Sequence, residues 1–129
     1  MIRCALAAIV FACGVVAQTA SAQMLRVFPP NTLRGSVVFG EMPTLLLNGK
    51  PAQLSPGSRV RGANNMLVMP PTIAGAKFLV HYTLDVGTDR VRDIWILTPD
   101  EANITPWPTT LEQAQTWTWD QNARTWIRP

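Results

Sequence analysis

Apolar and polar positions alternate in short runs along most of this chain, and prolines and glycines cut the runs before any reaches helix length. The alternation is clearest over 78–84, where Phe78, Val80, Tyr82 and Leu84 share one face and Leu79, His81 and Thr83 the other. Residues 35–40 read as another strand. Thr44-Leu45-Leu46-Leu47 and Lys50-Pro51-Ala52-Gln53-Leu54 flank Asn48-Gly49, a pair that accepts the two positive φ values of a type I′ turn, so a tight hairpin is predicted. Pro51 lacks an N–H, which places the returning strand at an edge or at a non-bonded position. Ser55-Pro56-Gly57 predicts a further turn, and Met66-Leu67-Val68-Met69 a fully apolar strand ended by Pro70-Pro71. In the strand over 90–98 the inward positions change phase between Val91 and Ile94, which calls for a β-bulge or for burial on both faces.

Helix has little room. Thr98-Pro99-Asp100-Glu101 carries the signature of a capping box with proline at the first helical position, so a short helix is expected near 98–104. Residues 110–115 suit another turn or two. The tail around Trp117, Trp119 and Trp126 reads as a Trp-rich hairpin, and residues 25–28 as an edge strand or an extended arm. Consecutive short strands joined by turns predict a mainly β fold, a small antiparallel barrel or sandwich, in one β-rich domain spanning 23–129.

The first residues follow a different pattern. Arg3 precedes an uncharged apolar run over 4–17, and Ala20-Ser21-Ala22 supplies the small side chains that signal peptidase accepts. The run falls short of the roughly 20 apolar residues of a spanning helix. Residues 1–22 are therefore expected to be a signal peptide, cut between Ala22 and Gln23, with lipidation of Cys13 or full secretion as weaker readings. Export to the periplasm follows, which makes nucleic acid a poor partner. Cys4 and Cys13 are the only cysteines, so the trimmed chain has no disulfide, thiolate metal site or cysteine nucleophile.

Charge adds little by itself. The formal charge is +3 and falls by one when Arg3 leaves. It is unevenly placed, with eight basic residues against three acids over 23–92 and two against five over 93–129. Such polarity suits either intramolecular pairing or steering of an anionic ligand.

Catalytic chemistry finds no foothold. His81 is the only histidine, no serine sits in a nucleophile elbow, and no glycine-rich phosphate loop is present. A metal site or cofactor is not expected, and Met66 and Met69, three apart in a strand, would point to opposite faces as core residues. Two constellations invite binding instead. Arg59-Val60-Arg61 and Arg90-Val91-Arg92 each place two guanidinium groups opposite a valine. If their strands are close, Arg59, Arg61, Arg90 and Arg92 form an anion-binding patch, and otherwise they are a solvated sheet face. Four of five tryptophans follow residue 106. Trp117 and Trp119 would make a glycan or partner platform if exposed, or cap a small core if buried.

The stretch over 47–61, Leu-Asn-Gly-Lys-Pro-Ala-Gln-Leu-Ser-Pro-Gly-Ser-Arg-Val-Arg, together with Ile-Trp-Ile-Leu-Thr-Pro-Asp-Glu-Ala over 94–102, resembles small exported proteins of Gram-negative proteobacteria that carry no assigned activity. The resemblance implies a periplasmic β-rich domain and transfers no site residue. The expected function is that of a non-enzymatic envelope accessory or binding protein, whose partner is an envelope protein or an anionic envelope polymer. An anion- or glycan-binding module is the first alternative and a small periplasmic hydrolase or inhibitor the second.

Overall fold

The computed structural model describes residues 26–129; the expected signal peptide over 1–22 and the expected cut between Ala22 and Gln23 lie outside the described residues. Five strands, β1 (Leu33–Phe39), β2 (Thr44–Leu47), β3 (Lys50–Arg61), β4 (Lys77–Leu84) and β5 (Val91–Ile96), close a barrel in the order β1-β2-β3-β5-β4, with β4 returning to β1. Every pairing is antiparallel except β3 with β5. This connectivity is that of the OB-type Greek-key barrel. The one parallel pair departs from the all-antiparallel expectation, and arises because the chain crosses over a barrel end after β3 and inserts β5 between β3 and β4.

The alternating side chains fill the barrel. Leu33, Val37 and Phe39 of β1, Leu45 of β2, Leu54 and Val60 of β3, Val80 and Tyr82 of β4, and Val91 and Ile94 of β5 form one buried cluster. Phe78 and Leu84 pack against it, as their shared face predicts. The phase change in β5 is a bulge. Tyr82 pairs with Ile94 but Leu84 with Val91, so β5 carries one residue more than its partner and both Val91 and Ile94 reach the core.

The Asn48-Gly49 hairpin forms with φ of 53° and 79°. Pro51 lies where β3 has β2 alone beside it, since pairing with β5 starts at Leu54, and its missing N–H breaks no ladder. At Gly35 the opposing elements come very close. A Cβ built there would stand 2.8 Å from Asn48 Oδ1 and 3.0 Å from the Tyr82 ring. Gly35→Ala is expected to lower stability by about 1–3 kcal/mol in urea unfolding, because the turn side chain and a core ring must both shift; an unchanged midpoint would refute that crowding.

Two strand-region expectations fail. Ser55-Pro56-Gly57 does not end a strand: β3 runs through it, with the register against β5 shifting between Leu54 and Arg59 and Gly57 at φ 77°. Residues 66–69 form no strand beyond a single bridge between Arg61 and Leu67, and Met66 and Met69 are exposed instead of core. Pro70–Ile73 is a 3-10 turn, whose two prolines deny the ladder the N–H groups a strand there would supply.

Helix α1 (Pro99–Ala102) has the full capping box, with Glu101 N donating to Thr98 Oγ1 and Thr98 N to Glu101 Oε1. A second helix, α2 (Leu111–Thr116), is capped by Thr110 and packs Ala114 on the core cluster, where the pattern over 110–115 suits further helical turns. The terminal hairpin pairs β6 (Thr118–Asp120) with β7 (Thr125–Ile127) around a four-residue loop over 121–124, one residue later than the loop that Asp120-Gln121-Asn122-Ala123 suggests in the sequence. Asp120 Oδ1 accepts from the N–H groups of Asn122 and Ala123, and this Asx turn fixes the offset.

Candidate functional site

Three places draw the chemistry of this chain together: a sealed polar cluster over β1, β4 and β5, an aromatic layer on it, and the outer face of β3 and β5. The first was not legible in the sequence.

Arg34 pairs with His81 across β1 and β4, and His81 with Trp95 across β4 and β5, so the three form a row on the outside of the barrel. That face is covered by residues 26–32 and by the chain from α1 onward. His81 Nε2 lies 3.2 Å from Arg34 Nε and 3.1 Å from Nη2. A guanidinium only donates, so Nε2 accepts and the proton sits on Nδ1, which is buried without a partner. The rest of the Arg34 fork donates to the carbonyls of Glu101 and Ile104, closing the carboxyl end of α1.

Arg26 makes a second clamp. Its Nε and Nη2 donate to Glu101 Oε2 and Oε1 at 2.9 and 2.6 Å, Nη1 donates to Gly62 O, and Nη2 also to Ile96 O. The Arg26 and Glu101 side chains are 11% and 3% exposed, so this is a bidentate pair closed to water. Burial alone would raise the Glu101 pKa. The Arg26 hydrogen bonds and charge and the Thr98 contacts outweigh it and hold the carboxyl below its usual range. His81 moves further: burial first, then the charges of Arg34 and Arg26, pushes it down to about 2.

Trp107 stacks on His81 at 4.0 Å between ring centroids, while its indole N–H donates to Thr32 O. Phe28 meets His81, Trp95 and Trp107 edge-on, and Trp119 and Trp126 meet Trp107 and each other in the same way. Trp119 thus belongs to a packed layer. Trp117 is half-buried under the Arg128 guanidinium, 5.1 Å from its centroid. Both make contacts within the chain, Trp119 with the rings of Trp107 and Trp126 and Trp117 with the Arg128 guanidinium. An open depression beside them is lined by Thr105, Pro106, Trp126, Ile127 and Arg128.

The arginine triplets lie on neighbouring strands. Val60 and Val91 both point into the core, at 4% and 0% exposure, which turns Arg59, Arg61, Arg90 and Arg92 outward. The parallel register sets Arg59 beside Asp93 and Arg61 beside Trp95, so Arg92 lies one residue further back along β5 than the Arg59 level. Arg61 donates to Asn65 O. Among the described residues the single ion pair is Arg26 with Glu101, so no carboxylate pairs with any of these four arginines.

Sequence reasoning missed Arg26, Phe28, Arg34, Glu101 and Trp107 as a unit. A partial signal existed at Arg34, because the period of Leu33, Val37 and Phe39 puts it on the face opposite the core. Nothing local showed that this face would be covered. Among the described residues no three His, Cys, Asp or Glu side chains converge as a metal site would require, and no helix is long and apolar enough to cross a membrane. No protein-family model, curated protein or solved structure matches the chain.

Proposed function

We propose that this protein is an exported, non-enzymatic binding module of the periplasm that takes an anionic envelope polymer or headgroup on the outer face of β3 and β5. The supporting observation is the adjacency of the two strands, which gathers Arg59, Arg61, Arg90 and Arg92 on one side of the barrel with no ion-pair partner among the described residues. Guanidinium forks on a rigid sheet suit phosphate and carboxylate oxygens. Asp93 moderates the patch and favours ligands with several spaced charges over a single small anion. The small-hydrolase alternative loses its base: His81 is fully buried, its Nε2 faces Arg34, and the Glu101 carboxylate is engaged by Arg26.

Retention on heparin or lipopolysaccharide resin tests this reading. Binding should be released by salt, because screening weakens contacts to exposed charges. At about 1 kcal/mol for each basic side chain near an anionic surface, changing all four arginines to glutamine should weaken binding on the order of a thousandfold at low salt. Equal retention of that variant would sink the assignment.

A further inference from the structure

The loop over 62–69 is built to display apolar side chains. Met66, Leu67 and Met69 are 66%, 66% and 69% exposed, yet the backbone that carries them is tightly held. Asn65 N donates to Gly62 O, Gly62 N to Met66 O, Met66 N to Asn64 Oδ1 and Val68 N to Val60 O. Arg26 Nη1 ties down the base of the loop at Gly62 O, and Arg61 Nη1 reaches Asn65 O. Val68 packs against the core and Pro70 is buried, so the exposed residues alternate with anchors. A loop that merely lacked a place to bury these side chains would not need this scaffold.

Its charge surroundings indicate what covers it. Residues 62–76 carry no charged side chain, and Arg61 and Lys77 bracket them. Leu67 bridges to Arg61, placing the apolar tip at the end of the arginine-bearing face; at about 3.3 Å per strand residue, Arg59 and Arg92 follow within roughly 10 Å. Flexible apolar side chains at the tip with guanidinium groups behind them match the layering of an anionic bilayer, with acyl chains under phosphates.

We propose that residues 62–69 form a membrane-surface tip that inserts Met66, Leu67 and Met69 at the headgroup boundary of an anionic lipid layer while Arg59, Arg61 and Arg92 engage the phosphates. This rests on the anion-binding reading of the β3–β5 face and names the ligand as a lipid surface. An acidic protein partner is the competing occupant.

Flotation of the trimmed chain, residues 23–129, with phosphatidylglycerol-containing vesicles and with pure phosphatidylcholine vesicles provides the test. The protein should float with the former and scarcely with the latter. Met66→Ser/Leu67→Ser/Met69→Ser should weaken flotation about tenfold or more, while heparin retention and the urea midpoint stay as in the wild type, since these side chains already face water. Undiminished flotation of the triple variant overturns the tip. So does a wild type that binds heparin but floats with neither vesicle, an outcome that leaves the cationic-face reading standing. A wild type that binds neither heparin nor vesicles removes both.

Discussion

Replacing Arg26 by alanine is expected to destabilise the fold by about 3–5 kcal/mol, because it leaves the Glu101 carboxylate, 3% exposed, as an uncompensated buried charge. Carbonyls at Gly62 and Ile96 lose their donor in the same step, and α1 loses the grip that ties it to the arm. Arg26→Lys should recover only part of the loss. A single ammonium cannot span both carboxylate oxygens and two carbonyls on different elements. Adding Glu101→Gln to Arg26→Ala should cost much less than the sum of the single changes, because the charge left unpaired is then gone. Urea unfolding measures all of these, and an Arg26→Ala loss under about 1 kcal/mol would contradict the clamp. The expected cut after Ala22 would keep Arg26 in the mature chain. Trimming past it should reproduce the alanine phenotype.

Acid should unfold this protein earlier than its carboxylates alone would dictate. The folded state holds His81 neutral with its pKa pushed down to about 2, whereas the unfolded chain takes up a proton near the ordinary value of 6.5. The depressed folded value means that this contribution is complete above pH 6.5 and declines as pH falls toward 2. The slope is about 1.4 kcal/mol per pH unit, so stability at pH 5 should lie about 2 kcal/mol below that at pH 7.5. Glu101, also held below its ordinary value, adds its own loss only as pH drops under about 4.5. The two windows separate the groups. His81→Phe keeps a ring against Trp107 and removes the titration; it should flatten the profile between pH 7.5 and 5 while lowering stability overall, since Arg34 loses an acceptor. A wild-type profile flat over that range would show that His81 admits a proton in the fold.

These predictions concern a region that the amino-acid pattern left blank. His81 stood out as a lone imidazole on the minor face of a strand, with neither neighbours nor a role. The same strand shows how far alternation reaches: Val80 and Tyr82 enter the core as their period requires, but the opposite face of an antiparallel sheet is wet or covered depending on where the rest of the chain goes. Here Phe28, Trp107 and the α1 carbonyls arrive from both sides in sequence and close it. The arginine triplets lie between these cases. Their outward direction follows from Val60 and Val91, and only the parallel pairing of β3 with β5 makes them neighbours.

Local chemistry was enough wherever a conformation is set within a few residues. Asn48-Gly49 accepts two positive φ values, and Thr98 and Glu101 satisfy each other's backbone, whereas the phase change over 91–94 allowed a bulge or burial on both faces until the pairing with β4 decided for the bulge. Where the outcome depends on partners distant in sequence, that information was missing. Met66, Leu67 and Met69 carry apolar surface that any sequence reading sends inward, but a barrel of five strands closes over a fixed volume already filled by other side chains. Arg26 and Glu101 lie 75 residues apart and attract each other strongly only once folding has removed the water between them.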